Sequence, residues 1–157
     1  MKKIYLWMFL SSLVLSGCAT TPKTTLTPLE IQALQTRTYE HSKDIAFPSV
    51  MSVFQDLGYT VNSADKDTGL ITAESATASD AASKFWLGIT DVSQTKATAF
   101  IEQMGSSSSV RLNFVATNKK FTMYGRSDRQ DTPILDAAVY QNAFERIENA
   151  IFMRSSN

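Results

Sequence analysis

Hydrophobic and polar residues alternate along this chain with two different periods, and the changes of period mark out the elements. Val50, Val53, Phe54 and Leu57 fall at the i, i+3, i+4, i+7 spacing of one buried helical face, with Pro48 placed in the first turn. Gly58 follows where a left-handed residue would end that helix. Tyr59 and Val61 then alternate with Thr60 and Asn62, a strand. Asp65-Lys66-Asp67-Thr68-Gly69 reads as a turn, and Leu70 to Ser75 returns as a second strand. Thr95 to Met104 puts Ala97, Ala99 and Ile101 on one face, and Gly105 with four serines makes a flexible hairpin tip. Val110, Leu112, Phe114 and Ala116 alternate with Arg111, Asn113, Val115 and Thr117. Asn118-Lys119-Lys120 is expected to turn the chain into a strand from Phe121 to Gly125.

Helical periodicity returns near the end. Thr132 can cap, Pro133 fits a first helical position, and Ala137, Tyr140, Phe144, Ile147 and Ile151 recur on one face. At 1.5 Å per residue, about twenty residues span roughly 30 Å, enough to cross a sheet. Upstream, Thr27-Pro28-Leu29-Glu30 has the form of a capping box and predicts a short helix to about Leu34. Gln35 to His41 then reads as an edge strand. Short connections favour an antiparallel meander. The expected fold class is α+β in two layers: a curved antiparallel sheet packed by a short helix and a long C-terminal helix. The order is β-α-β-β-β-β-β-α, with a single periplasmic domain over residues 28–154.

The first seventeen residues follow a different pattern. Lys2 and Lys3 precede a run from Ile4 to Leu15 that is apolar apart from Ser11 and Ser12. Such a run is shorter than the roughly 20 residues that a membrane-spanning helix needs, so it fits a secretory signal. Leu15-Ser16-Gly17-Cys18 resembles the lipobox of bacterial lipoproteins. That resemblance implies diacylglycerol transfer to the Cys18 sulfur, cleavage between Gly17 and Cys18, and acylation (typically palmitate) of the new amino group. Ala19 follows in place of an aspartate, which by similarity to enterobacterial sorting implies the periplasmic face of the outer membrane. Residues 18–27, threonine-rich and with Pro22 and Lys23, read as the lipidated cysteine and a flexible tether.

Phe54-Gln55-Asp56-Leu57-Gly58-Tyr59, followed by Gly69-Leu70-Ile71-Thr72-Ala73-Glu74, resembles paired segments of small uncharacterised Gram-negative outer-membrane lipoproteins. There the first segment usually reads Leu-Gln-Asp-Leu-Gly-Phe, so Phe54 and Tyr59 depart conservatively. The likeness covers Arg37 to Glu74 and describes a helix end, a strand and a hairpin. The layout is also similar to the helix-grip domains of the lipoprotein in the β-barrel assembly machinery, and at that level no function transfers.

Charge and composition narrow the chemistry. The chain carries 15 basic and 15 acidic residues, and loss of Lys2 and Lys3 with the leader leaves it slightly acidic. That balance lacks the basic footprint of a nucleic-acid binder. Cys18 is the 1 cysteine, which leaves no thiolate for a disulfide, a metal or catalysis in the mature domain. With His41 the 1 histidine, any hydroxyl nucleophile would have to use it, and a histidine metal cluster is excluded by count. Nor does any carboxylate spacing match a calcium loop, or any glycine-rich stretch a phosphate cradle. Asp65, Asp67 and Glu74 read as solubilising turn residues ahead of an acid/base pair. Arg126, Asp128, Arg129 and Asp131 read as a solvated connector ahead of a partner contact. No catalytic residue, cofactor or metal is expected.

Residues 76–94 are the exception, a long connection that ends in Lys84-Phe85-Trp86-Leu87-Gly88-Ile89. Phe85, Trp86, Leu87 and Ile89 have three readings. The first is a plug folded back on the sheet's end; next comes a partner or membrane contact, since tryptophan concentrates in both settings; last is a ligand lid. The functional expectation is a lipid-anchored, non-enzymatic interaction or scaffold module with an envelope protein as partner. The alternative is a carrier for an apolar ligand between sheet and long helix, in space left by Ala97, Ala99 and Ala116. A hydrolase using His41 comes third.

Overall fold

The structure, a computed structural model, describes residues 26–75, 78–79, 90–121 and 127–156. The leader, Gly17, Cys18, the tether as far as Thr25, the cluster of Phe85, Trp86, Leu87 and Ile89, and Arg126 lie outside them.

The fold is α+β, as the periodicity predicts: a curved, open antiparallel sheet with helices packed on one face. Its elements in chain order are α1 (Pro28–Gln35), β1 (Thr36–Tyr39), α2 (Lys43–Asp56), β2 (Tyr59–Asp65), β3 (Leu70–Ser75), β4 (Ala78–Ser79), β5 (Thr90–Met104), β6 (Ser107–Phe121), β7 (Ser127–Pro133) and α3 (Ala137–Ser155). The spine is the β5–β6 hairpin, paired from Thr90↔Phe121 to Met104↔Ser107. β3 and β4 share the outer edge of β5, and β2 follows β3. β1 and β7 share the outer edge of β6, at Ser108–Arg111 and Val115–Phe121 respectively.

Alternation then decides the core. Ile71, Ala73, Ala97, Ala99, Ile101, Val110, Leu112 and Phe114 turn to the helices and are buried, as are Val50, Val53 and Phe54 of α2 and Tyr140, Phe144, Ile147 and Ile151 of α3. At the centre Phe114 stands edge-on to Tyr140, ring centroids 5.3 Å apart, and to Phe54 at 6.4 Å. Such offset geometry suits the ring quadrupoles. Arg154 ties the helices together, its guanidinium donating to the Ser49 and Ser52 hydroxyls at 3.3 Å each.

Four expectations are corrected. α2 begins at Lys43, so Pro48 sits inside the helix rather than in its first turn. The bond that a proline cannot donate would have gone to the carbonyl of exposed Asp44, where water can replace it, while buried Ala46 and Phe47 hold the extra turn. The tip of the β5–β6 hairpin is Gly105 and Ser106 alone; Ser107, Ser108 and Ser109 are in β6, paired to β5. Asn118-Lys119-Lys120 does not turn the chain, because these residues continue β6 between β5 and β7, and pairing on both edges overrides their turn propensity. Of the strand expected after that turn, Phe121 ends β6 and residues 122–125 lie outside the described ones. The expected connector around Arg129 and Asp131 is strand β7, so Thr132 and Pro133 end a strand instead of opening α3. Asp136 caps α3, accepting the Ala138 N–H at 2.8 Å.

Candidate functional site

Among the described residues, two grooves and one charged row are the candidates. The first lies along β1. Pairing of Arg37 with Val110 and of Tyr39 with Ser108 puts both side chains on the helix side of the sheet. The Arg37 guanidinium rests 4.9 Å from the centre of the Phe144 ring, and the Tyr39 hydroxyl donates to the Phe144 carbonyl at 3.2 Å. Burial raises the Tyr39 phenol above its ordinary 10.0, with Arg37 lowering it and Glu148 raising it by smaller amounts. Beside this strand runs a groove of about 340 Å³. Thr38, Tyr39, Glu40 and His41 form one wall, and Glu148, Ile151 and Phe152 of α3 the other. Phe152 is 70% exposed although its neighbour Ile151 is buried.

The second place is an apolar groove of about 400 Å³ where α2 ends and α3 begins, lined by Leu57, Tyr59, Phe114, Ala138, Val139, Asn142 and Ala143. Partial burial raises the Tyr59 phenol. Ala97 and Ala99, expected to leave room for a ligand, are instead closely covered, and neither they nor Ala116 lines this groove.

The third is a charged row on the sheet face away from the helices. Lys96 Nζ stands 3.2 Å from Glu74, and Arg129 meets Asp131 with N–O distances down to 2.8 Å. The Thr117 hydroxyl donates to Asp131 at 2.7 Å, and the Gln94 amide donates to Glu74 at 3.2 Å. The Lys96 hydrogen bond holds the Glu74 carboxyl below its usual range, and Arg129 followed by Thr117 does the same for Asp131. Each of these two anions has a cation, Glu74 across the sheet from Lys96 and Asp131 within β7 from Arg129, so the row reads as structural pairing on the sheet face.

The structure does not bring the sequence-flagged carboxylates together. Asp65 accepts the Asp67 and Thr68 N–H groups within its own turn, whereas Glu74 lies at the far end of β3. His41 sits just past β1 in the first groove, beside Glu40 and across from Glu148. Among the described residues no cluster of three His, Cys, Asp or Glu is placed to hold a metal ion. No described helix is long and apolar enough to cross a membrane. Sequence reasoning missed Glu148 and Phe152. The signal was there, because Phe152 lies one residue off the Tyr140, Phe144, Ile147, Ile151 stripe and therefore off the buried face.

No family model and no curated protein matches the chain. Among solved structures it is similar to a DUF4468 family protein from Bacteroides ovatus ATCC 8483, with 8% identity and a TM-score of 0.38 over 74% of this chain and 84% of that one. So loose a superposition passes neither a residue role nor a function.

Proposed function

We propose that the chain is a lipoprotein held by lipid on Cys18 at the periplasmic face of the outer membrane, where it works as a non-enzymatic interaction module. The lipobox supports the anchor. The observation that carries the second half is the open end of α3. Phe152 stands at 70% exposure over an acidic groove, on a helix whose stripe of Tyr140, Phe144, Ile147 and Ile151 is covered. Apolar side chains displayed in this way beside a groove suit a partner more than they suit chemistry. In-cell crosslinking of the full chain from photoreactive residues at Trp86 and Phe152, in separate strains, tests the reading. A single dominant envelope protein supports it, and an absence of protein capture from both positions overturns it.

One observation favours a carrier as the second reading. The groove by Leu57, Tyr59 and Val139 is apolar and of a size that holds a small ligand. A co-purifying apolar molecule in native mass spectra of the full chain, lost in Ala138→Trp, supports the carrier; spectra of the bare protein oppose it.

A further inference from the structure

We propose that the groove between β1 and the last turns of α3 binds an extended, basic segment of a partner protein by strand addition. The proposal rests on the interaction-module reading and names its surface and the partner's chemistry.

The backbone carries the first part of the case. Among the described residues β1 pairs with β6 alone, so half of its N–H and C=O groups face away from the sheet. Other edges are defended. β2 has a register shift between Val61 and Ser63, which kinks its ladder, and β7 alternates charges and ends in Pro133. β1, Thr-Arg-Thr-Tyr, has neither bulge nor proline. Its one charge, Arg37, is laid back over Phe144 instead of guarding the edge. A new strand would lie about 4.8 Å from β1. There it meets the groove, whose far wall is Glu148, Ile151 and Phe152. An edge strand facing a helix across such a slot is the geometry in which added strands give affinity through main-chain bonds and specificity through alternate side chains.

Charge fixes the occupant. Glu40, His41 and Glu148 are the ionisable groups of the groove besides Tyr39, and no described lysine or arginine lines it. Arg37 of β1 rests on the Phe144 face. A lysine or arginine at alternate positions of the incoming strand would meet Glu40 or Glu148, and an apolar residue would meet Phe152. A second copy is disfavoured, because pairing β1 with β1 would set two acidic grooves against each other.

The test uses the full lipidated chain in neutral detergent and a labelled nine-residue peptide that alternates lysine with valine, followed by fluorescence anisotropy. Saturable binding is expected, with slowed amide exchange at Thr36–Tyr39. Glu40→Lys and Glu148→Lys, both surface changes checked by circular dichroism, should each weaken it about tenfold or more. A peptide alternating glutamate with valine, or the lysine peptide with methylated backbone nitrogens, should not bind. Absent binding, equal affinity for either control peptide, unchanged affinity in both variants, or peptide competing with a second copy or with the chain's own tether overturns the proposal. Protein capture from Trp86 alongside absent peptide binding sinks this proposal and leaves the interaction reading standing.

Discussion

Gly69 is the most closely packed of the described glycines. Its φ is +79°, and an added Cβ would stand 2.0 Å from the Ile101 carbonyl oxygen. The close approach is used, because the Ile101 N–H donates to the Gly69 carbonyl at 2.8 Å and so locks the β2–β3 turn onto β5. Gly69→Ala meets both a conformational and a steric penalty, and should cost about 3 kcal/mol or more in urea unfolding. A loss under about 1 kcal/mol would mean that the turn relaxes freely. Ser108 presents the opposite case. It is buried, and its hydroxyl is the one such side-chain atom among the described residues without a hydrogen-bond partner. Ser108→Ala removes an unsatisfied group and should be neutral or stabilising by up to about 1 kcal/mol. Tyr39 adds a pH dependence. Its folded-state pKa is raised, so the protonated phenol is favoured by folding; that stability is complete below the unfolded value near 10.0 and is lost as pH rises through the folded one. Tyr39→Phe should therefore be less stable than wild type by about 1 kcal/mol at pH 7, for the lost bond to Phe144. The gap should close above pH 10, where the parent alone must keep a phenol protonated. A gap independent of pH would refute the assignment.

At the scale of elements, the start of α2 is held from outside its own sequence. Ser42 occupies the N-cap position but makes no side-chain cap bond; the Lys43 N–H donates instead to Gln103 Oε1, at 2.6 Å. The Gln103 amide also donates to the Gly105 and Ser107 carbonyls, so one side chain fastens the β5–β6 turn to the helix. Gln103→Ala should cost about 1 kcal/mol and Ser42→Ala much less, the reverse of what capping propensity alone suggests. Equal losses would show that the cross-element bond contributes nothing. The same contrast explains what the sequence made legible. Thr27 with Glu30, the stripe from Val50 to Phe54, the turn before Gly69 and the alternation at Ala97 to Ile101 are local patterns, and each forms where periodicity puts it. Pro48, Asn118 to Lys120, Thr132 and Pro133 carry equally local signals that point elsewhere. There the outcome is set by partners distant in sequence: a glutamine 60 residues away from Lys43, and strands on both edges of β6. The groove by β1 was half visible. His41, Glu40 and an edge strand could be read, but Glu148 and Phe152 join them only because α3 lies beside β1.

For the whole molecule, the question is whether location and fold separate. The proposed anchor belongs to the leader and Cys18, whereas the described helices and sheet start at Pro28. None of the described helices is long and apolar enough to cross a membrane. Under the proposed anchor, attachment depends on the acyl chains, each buried methylene contributing about 0.8 kcal/mol, so that two chains suffice for stable residence. Cys18→Ser should move the protein from the membrane pellet to the soluble periplasmic fraction. Because the substitution lies ten residues ahead of α1, the first described element, circular dichroism and the thermal midpoint of the domain should match those of the lipidated form in detergent. Release together with an unchanged fold would show that the lipid only places the domain, which leaves β1 and Phe152 as surfaces to be tested in solution, with Trp86 as a second crosslinking position. Persistence in the pellet after Cys18→Ser would place the attachment elsewhere, in an uncleaved leader or in the exposed apolar residues of the domain itself.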